Sequence, residues 1–426
     1  MEELTFFNYD KKPFKIDKPI RLIELFAGIG SQAKALERLG ADFEHYRVCE
    51  FDKYAIKSYN AIHGTDFATS DITQITADDL GIVDTDKYCY LMTYSFPCQD
   101  LSLAGKQKGM AKGENTRSGL LWEVERLLNE CNELPQVLLM ENVTQVHGKK
   151  NMEHFQEWID FLESKGYSNY WKDLNAKNFG IPQNRNRTFM VSLLGDYTYE
   201  FPQEFPLQLR LKDVLEDCVE EKFYLSEKMI TFFTENTRKQ QAKGNGFKFA
   251  PTDGNACAKA VTTRAGGRMD DNFIKEPLAY DEQNGYVRKD GTVGTLTTDG
   301  SSPKHNNRVI EPVGSVEKTK QLLSDVENGE YQQDTAYGKY LFQSSRFEDK
   351  PIEECSQTIK STKVDCGVIH NLRIRKLTPK ECWRLMGFDD ADFEKAAQIN
   401  SNSQLYKQAG NSIVVDVLAH IFTQML

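Results

Sequence analysis

An open, mainly parallel α/β sheet interrupted by a smaller, largely β segment is the fold class that the sequence predicts. Three observations carry the prediction. Apolar runs alternate with helical patterns over the first half of the chain. After about Gly195 the character shifts to Gly, Thr, Asn and Asp with short strand-like runs. Helical patterning returns from Leu377 to Leu426. We therefore expect residues 1–195 to form one domain, 196–370 an inserted domain, and 371–426 to complete the first.

The elements follow in order. Arg21 to Phe26 reads as a buried strand, and Ser31 to Leu39 as a helix stopped by Gly40. Tyr46 to Glu50 is a second strand and Asp52 to His63 a second helix. Tyr88 to Tyr94, Gln136 to Met140 and Thr188 to Leu194 read as further strands. Leu120 to Leu128 and Glu153 to Ser164 read as the helices between them. Ser412 to Leu426 is a strongly amphipathic helix. The middle segment holds an internal echo. Ala260-Val261-Thr262-Thr263 precedes Asn272-Phe273-Ile274, Thr295-Leu296-Thr297-Thr298 precedes Arg308-Val309-Ile310, and a fainter copy runs from Thr358-Ile359 to Val368-Ile369. Repeated strand–turn–strand units and chance similarity between Thr-rich hairpins explain it about equally well.

Composition narrows the class. A chain with 39% hydrophobic and 27% charged residues is an ordinary globular protein. No apolar run approaches the roughly 18 to 20 residues that span a bilayer, and the first residues lack the pattern of a signal peptide. A cytosolic location is expected. The nine cysteines form no C-x-x-C pair, so neither a zinc cluster nor a disulfide framework is expected. The net charge of −10 argues against a general nucleic-acid binder. Between Asn236 and Arg268, however, seven Lys or Arg accompany a single acid, Asp253. A solvated face and a phosphate-contacting surface both fit that run.

Gly28-Ile29-Gly30-Ser31-Gln32-Ala33 lies between a strand and a helix and satisfies G-x-G-x-x-A. Glycines there let the backbone approach a ligand. Glu50 ends the second strand, where a carboxylate can accept the hydroxyls of a ribose. Asp71, in Ser70-Asp71-Ile72, is a third polar group suited to an adenine amino group. These features point to a nucleoside cofactor without saying which.

Ser95-Phe96-Pro97-Cys98-Gln99 follows the strand ending near Tyr94, and ligands of open α/β sheets gather at such carboxyl ends. Pro97 stiffens the loop that presents the Cys98 thiol. Most lone cysteines are merely buried hydrophobes; the loop position and the Gly105-Lys106-Gln107-Lys108-Gly109 stretch downstream favour a functional one. Glu141 ends the apolar run Val137-Leu138-Leu139-Met140, where a carboxylate is costly unless paired or used. Gln183, Arg185 and Arg187 alternate just before a strand, so in extended chain they share one face. That face suits a polar pocket better than a core.

Taken in order, these motifs resemble the DNA (cytosine-5-)-methyltransferase family, of the stand-alone bacterial or phage type. Phe26-Ala27-Gly28-Ile29-Gly30, Glu50 and Asp71-Ile72 look like its first three cofactor motifs. Pro97-Cys98-Gln99 looks like the nucleophile motif, Thr116-Arg117-Ser118-Gly119-Leu120 the next cofactor-side motif, Glu141-Asn142-Val143 the acid motif and Gln183-x-Arg185-x-Arg187 the arginine motif. Arg375 to Cys382 with Met386-Gly387-Phe388 resembles the late helix motif, and Gln408-Ala409-Gly410-Asn411-Ser412 the terminal one. The resemblance covers about residues 20 to 195 and 371 to 426, and Ser118 stands where many members carry glycine.

The resemblance implies a Rossmann-like methyltransferase sheet with an inserted target-recognition domain at 196–370. It implies S-adenosylmethionine as cofactor and double-stranded DNA as partner. Catalytic positions are Cys98, Glu141, Arg185 and Arg187. Cofactor positions are Phe26, Gly28, Gly30, Glu50, Asp71, Ile72, Pro97, Leu120, Asn411 and Ser412. Gln99 and Gln183 are expected at the DNA, with Arg264 and Arg268 as further phosphate-contact candidates. The Gly/Lys stretch after Cys98 matches a loop that closes on DNA.

The implied chemistry accounts for each residue type. Carbon 5 of cytosine is too weak a nucleophile until a thiolate adds to carbon 6. A protonated carboxyl at ring nitrogen 3 offsets the charge so produced, and arginine holds the ring carbonyl. The base must leave the duplex to be reached. A cognate restriction endonuclease encoded separately and a monomeric state complete the expectation. Three other readings compete. A tRNA cytosine-5 methyltransferase is disfavoured by the long middle segment. An NAD-dependent oxidoreductase gives Cys98, Glu141 and the arginine face no joint role. A catalytically dead DNA-binding protein has no need of an intact Cys98 and Glu141.

Overall fold

The computed structural model describes residues 11–97, 101, 110, 112, 118–217, 219–244, 246–276, 279–281, 286–288, 308–309 and 373–426. These fall into two compact units. One comprises Met1–Val214, Ala256–Gly267 and Pro379–Leu426; the other comprises Leu215–Asn255 and Arg268–Thr378.

The first unit is built on a six-stranded sheet. Its strands are β1 (Ile20–Leu25), β2 (Phe43–Cys49), β3 (Cys89–Tyr94), β4 (Val137–Asn142), β5 (Tyr167–Asn175) and β6 (Asn186–Leu194), in the spatial order β2-β1-β3-β4-β6-β5. The first four are parallel, while β6 runs antiparallel to both β4 and β5. β3 and β4 are buried at every position, which is why they read as continuous apolar runs rather than alternating ones. β5 is missing from the sequence expectation. It is an edge strand, Tyr-Ser-Asn-Tyr-Trp-Lys-Asp-Leu-Asn, polar enough at its solvent positions to pass for a loop.

The helices lie close to their expected places. Ser31–Leu39 ends at Gly40, whose backbone at φ 64° closes the helix by donating to Glu37 and Leu36 carbonyls. Lys53–His63 starts at Asp52, whose side chain accepts from the Tyr54 N–H. Leu121–Glu130 and Met152–Ser164 bury Trp122, Leu127, Phe155 and Trp158 in the core shared with Tyr94, Met92 and Met140. Trp158 donates to the Tyr94 hydroxyl at 3.1 Å, so its indole is satisfied within the core.

From Pro379 the C-terminal stretch joins this unit, whereas Arg373–Thr378, expected with it, belongs to the second. Its last helix is shorter than expected, Val415–Thr423, because Ser412-Ile413-Val414 is a break after a separate helix, Asn402–Asn411. It packs on the helix Ser31–Leu39, and Arg38 reaches Asp416 at 3.0 Å. The segment Ala256–Gly267, expected in the inserted domain, also belongs here. Ala258–Lys259 pairs with Gln183–Asn184 as a short parallel ladder. The boundary between the units, at Gly267 and Arg268, divides the first copy of the internal echo. Its second half, in Phe273–Glu276, pairs instead with Arg373–Lys376. The first copy is therefore not a hairpin, and the other two lie outside the described residues apart from Arg308–Val309.

The second unit carries short antiparallel strands, as its Thr- and Gly-rich sequence predicts, together with an unforeseen 16-residue helix, Glu227–Ala242. Phe233 from that helix meets Phe249 and Phe273 at centroid distances of 5.3 and 5.7 Å. The fully buried Arg375 is paired with Glu276, which also accepts from the Tyr224 hydroxyl at 2.5 Å.

Candidate active site

One edge of the sheet collects most of the residues singled out by sequence. The parallel strands β1 to β4 deliver their carboxyl ends there. The antiparallel β6 enters the sheet at the same edge, so its first residues lie beside the last of β4, with Glu141 opposite Phe189 and Asn142 opposite Thr188. This reversal brings Glu141 and Arg187 together although they come from strands of opposite direction.

At the end of β1 the chain turns sharply. Phe26 has φ 59°, an uncommon value for a side-chain-bearing residue, and Gly28 and Gly30 have φ 60° and 82°. A methyl group on Gly30 would come within 2.2 Å of His63 Nε2, so glycine is required there on space as well as conformation. The Glu50 carboxylate, at the end of β2, accepts from the Gly28 N–H at 2.8 Å and the Asp52 N–H at 2.6 Å. Burial pushes its pKa up against the pull of those two donors. The acid is thereby held in place beside the glycine turn. Asp71 is half-buried and caps the following turn, one oxygen accepting from the Thr73 N–H and hydroxyl at 3.0 and 2.9 Å. Ile72 is buried and Leu120 half-buried at the end of a single 3-10 turn.

Sequence reasoning passed over Phe51. It follows Glu50 directly and leaves 77% of its surface exposed. An aromatic ring so exposed, next to an acid suited to ribose, offers a flat apolar plate for a purine. Its adjacency to Glu50 was the available signal.

Cys98 and Gln99, expected as nucleophile and DNA contact, lie outside the described residues, as does the Gly105–Gly109 stretch. What leads up to them is well held. Asn142 donates to the Phe96 carbonyl at 3.0 Å, and the Ser118 hydroxyl donates to the Pro97 carbonyl at 2.8 Å. The residue after Glu141 and the serine at the start of the 3-10 turn thus fix the backbone immediately before Cys98.

Glu141 is 8% exposed and forms an ion pair with Arg187, Oε1 to Nε 3.2 Å. Burial raises its pKa, and the charges of Arg187 and Arg185 oppose that rise. The carboxyl is therefore a proton holder set between opposing influences, as general acids often are.

The alternation of Gln183, Arg185 and Arg187 onto one face holds, with Asn184 and Asn186 exposed between them. Their partners correct part of the expectation. Gln183 is fully buried; its amide donates to the Leu385 carbonyl at 2.7 Å and accepts from the Val261 N–H at 2.8 Å. In this arrangement it has no free end for DNA. Arg185 donates to the carbonyls of Val261, Gly410 and Ser412 at 3.1, 3.1 and 2.8 Å. It ties the terminal motif to the strand edge while placing its charge near Glu141. The Ser412 hydroxyl is likewise taken, donating to the Gln408 carbonyl at 2.8 Å, whereas Asn411 is exposed. Gly410 runs so close to Thr263 that a methyl group on it would meet the Thr263 nitrogen at 2.3 Å. Arg187, Arg185 and Phe189 line a small cavity with Ile413 and Val414.

Of the two basic candidates, Arg264 is exposed and belongs to the first unit. Arg268 belongs to the second, and its guanidinium is held by both carboxylate oxygens of Asp270 at 3.1 Å. That pairing offsets the charge Arg268 was expected to offer phosphate. No described helix is long and apolar enough to cross a membrane.

Known proteins place the chain in a family. A family model described as C-5 cytosine-specific DNA methylase matches residues 20–426. The chain is 30% identical to the type II methyltransferase M2.ScrFI of Lactococcus lactis subsp. cremoris, over 95% of this chain and 99% of that one. It is also 30% identical to the orphan methyltransferase M.SPRI of Bacillus phage SPR, over 96% and 97%. Among solved structures, an Entamoeba histolytica methyltransferase superposes with a TM-score of 0.61 at 16% identity, covering 96% of this chain and 98% of that one. The Dnmt2 methyltransferase of S. pombe does so with 0.58 at 18%, covering 95% and 98%. These two likenesses speak to the fold. With the family model spanning nearly the whole chain and the acid, arginine and glycine-turn motifs gathered at one sheet edge, the protein belongs to the C-5 cytosine-specific DNA methylase family.

Proposed function

We propose that this chain methylates carbon 5 of a flipped cytosine within a specific double-stranded DNA sequence, through a covalent adduct to Cys98. The observation that carries the reading is the buried Glu141 paired with Arg187, beside a loop whose last carbonyls before Cys98 are pinned by Asn142 and Ser118. S-adenosylmethionine, the family's cofactor, supplies the methyl group when bound. The residues present suit it. The Gly28–Gly30 turn leaves backbone room, the fixed Glu50 carboxylate suits ribose hydroxyls, and Phe51 suits the adenine face.

The chain's own residues divide the work. The Cys98 thiolate adds to carbon 6 of the cytosine as the 5,6 π bond breaks, and after methylation loss of the carbon 5 proton expels the thiolate and restores the ring. Glu141 holds a proton at ring nitrogen 3 as that addition pushes charge into the ring. Arg187 keeps Glu141 oriented and supplies positive charge beside the base. Arg185 is a positioning residue, fixing the strand edge against Gly410 and Ser412. The second unit serves as the target reader, with Arg264 of the first contacting DNA phosphates, in a monomer that works either alone or beside a separately encoded endonuclease.

The direct test is transfer of a labelled methyl group to duplex DNA and, in parallel, to tRNA. Label in duplex DNA is expected; label in tRNA alone would replace this reading with the RNA enzyme. The assignment of Phe51 has its own check. Base–aromatic stacking is worth about 1–3 kcal/mol, so Phe51→Ala should weaken S-adenosylhomocysteine binding by roughly 5- to 150-fold in calorimetric titration. Unchanged affinity would remove Phe51 from the site.

A further inference from the structure

We propose that Glu37, His45 and His63 form a binding site for one divalent transition-metal ion of the zinc type, adjoining the glycine turn. None of the three has a part in the proposed reaction. They come from three consecutive elements: Glu37 from the helix Ser31–Leu39, His45 from β2 and His63 from the last turn of Lys53–His63. One donor atom from each lies within 4.8 Å of the others.

Each imidazole is held by a hydrogen bond on the nitrogen that faces away from Glu37. The Tyr59 hydroxyl donates to the buried Glu24 carboxylate at 2.5 Å. Having one proton, it can only accept at its second contact, from His45 Nδ1 at 2.9 Å. His45 Nε2 is then left as a lone pair. His63 Nε2 lies 3.2 Å from the Ile29 carbonyl, which leaves Nδ1 as the nitrogen turned to Glu37. His63 Nδ1 and His45 Nε2 both turn toward one oxygen of Glu37, at 2.6 Å and 3.8 Å, the first of them a hydrogen bond. The three donor atoms thus converge, and the proton of the His63–Glu37 hydrogen bond is one that a metal ion would displace. The nearest ammonium, Lys34, reaches Glu37 only at 3.8 Å and is held by Asp389 and Asp392 at 2.9 and 2.8 Å.

Such a set can hold a metal ion in place of that proton. Two imidazoles and one carboxylate suit zinc, cobalt or nickel rather than magnesium or calcium, which take all-oxygen shells. Each imidazole also has the outer partner that metal-bound histidines use, a backbone carbonyl for His63 and the Tyr59–Glu24 pair for His45. Zinc bonds of about 2.0–2.1 Å put tetrahedral donor atoms about 3.3 Å apart, a spacing within reach of the observed ones by side-chain adjustment. His45 and Glu37 are partly open to solvent, leaving an entry path and room for a water ligand. Because His63 bonds to Ile29 and crowds Gly30, an ion here would also stiffen the turn that opens the cofactor site.

The test is cobalt titration of the metal-stripped, full-length protein, followed by visible d–d absorption. The wild type is expected to bind one ion with d–d bands and no thiolate charge-transfer band. Glu37→Gln and His45→Gln, at partly exposed positions, should weaken binding at least about 10-fold, and Tyr59→Phe, which frees the His45 ring, by about 10- to 100-fold. Metal-free melting curves like the wild type's confirm that each variant is folded, and one that retains its fold suffices. Absence of binding, a thiolate band, or equal affinity in the folded variants would overturn the proposal.

Discussion

Cys98→Ala is expected to abolish methyl transfer while leaving DNA binding intact. Carbon 5 of cytosine gains its nucleophilicity only after a group adds at carbon 6, and a methyl side chain cannot add. The loss should therefore fall on kcat, with the dissociation constant for duplex DNA within a few-fold of wild type, because binding rests on backbone phosphates and base edges. A substrate carrying 5-fluorocytosine gives a second readout. With fluorine in place of the carbon 5 proton, the adduct cannot eliminate, so wild-type protein should stay covalently joined to such DNA and the variant should not. Activity near wild type in the alanine variant would remove the covalent mechanism.

Glu141→Gln is expected to lower kcat by about 10²–10⁴. Glutamine keeps the shape and can still accept from Arg187, but it holds no transferable proton for the ring nitrogen. The pH dependence gives the sharper signature. Burial raises the Glu141 pKa from its ordinary value even against Arg187 and Arg185. Its protonated form is the active one and persists below that raised pKa, so activity should fall as pH rises through it. The glutamine variant should lose that limb of the profile. A variant with unchanged kcat, or one that keeps the same limb, would show that the proton comes from elsewhere. Stability should move less than for a fully buried pair, because the Arg187 side chain retains 20% exposure and can take water in compensation.

The parts of the fold legible in sequence are those set by local pattern. β1, β3 and β4 announce themselves as apolar runs because both faces of a parallel sheet are covered. The glycine turn, Glu50 and Glu141 could be placed because the ends of such runs are where ligands gather. The arginine face followed from the two-residue period of extended chain. What that period cannot reveal is which atoms complete each contact. Gln183 and Arg185 spend their hydrogen bonds on Val261, Leu385, Gly410 and Ser412, carbonyls and an N–H brought close only by the returning segments. Those partners turn an expected DNA contact into a scaffold. The return of Ala256–Gly267 to the first unit is held by a two-residue ladder and by the Val261 contacts of Gln183 and Arg185, none of which registers in a pattern. The Glu37, His45 and His63 cluster spans three elements, and only the packing of two helices against β2 gathers it.

Bisulfite sequencing of plasmid DNA from cells expressing this chain, beside cells expressing Cys98→Ala, tests the central claim most directly. The account predicts protected cytosines in one short sequence context with the wild type and none with the variant. Equal protection in both would contradict the role of Cys98. Absence of protection in the wild type, with the protein folded and abundant, would contradict cytosine methylation of duplex DNA by this chain alone.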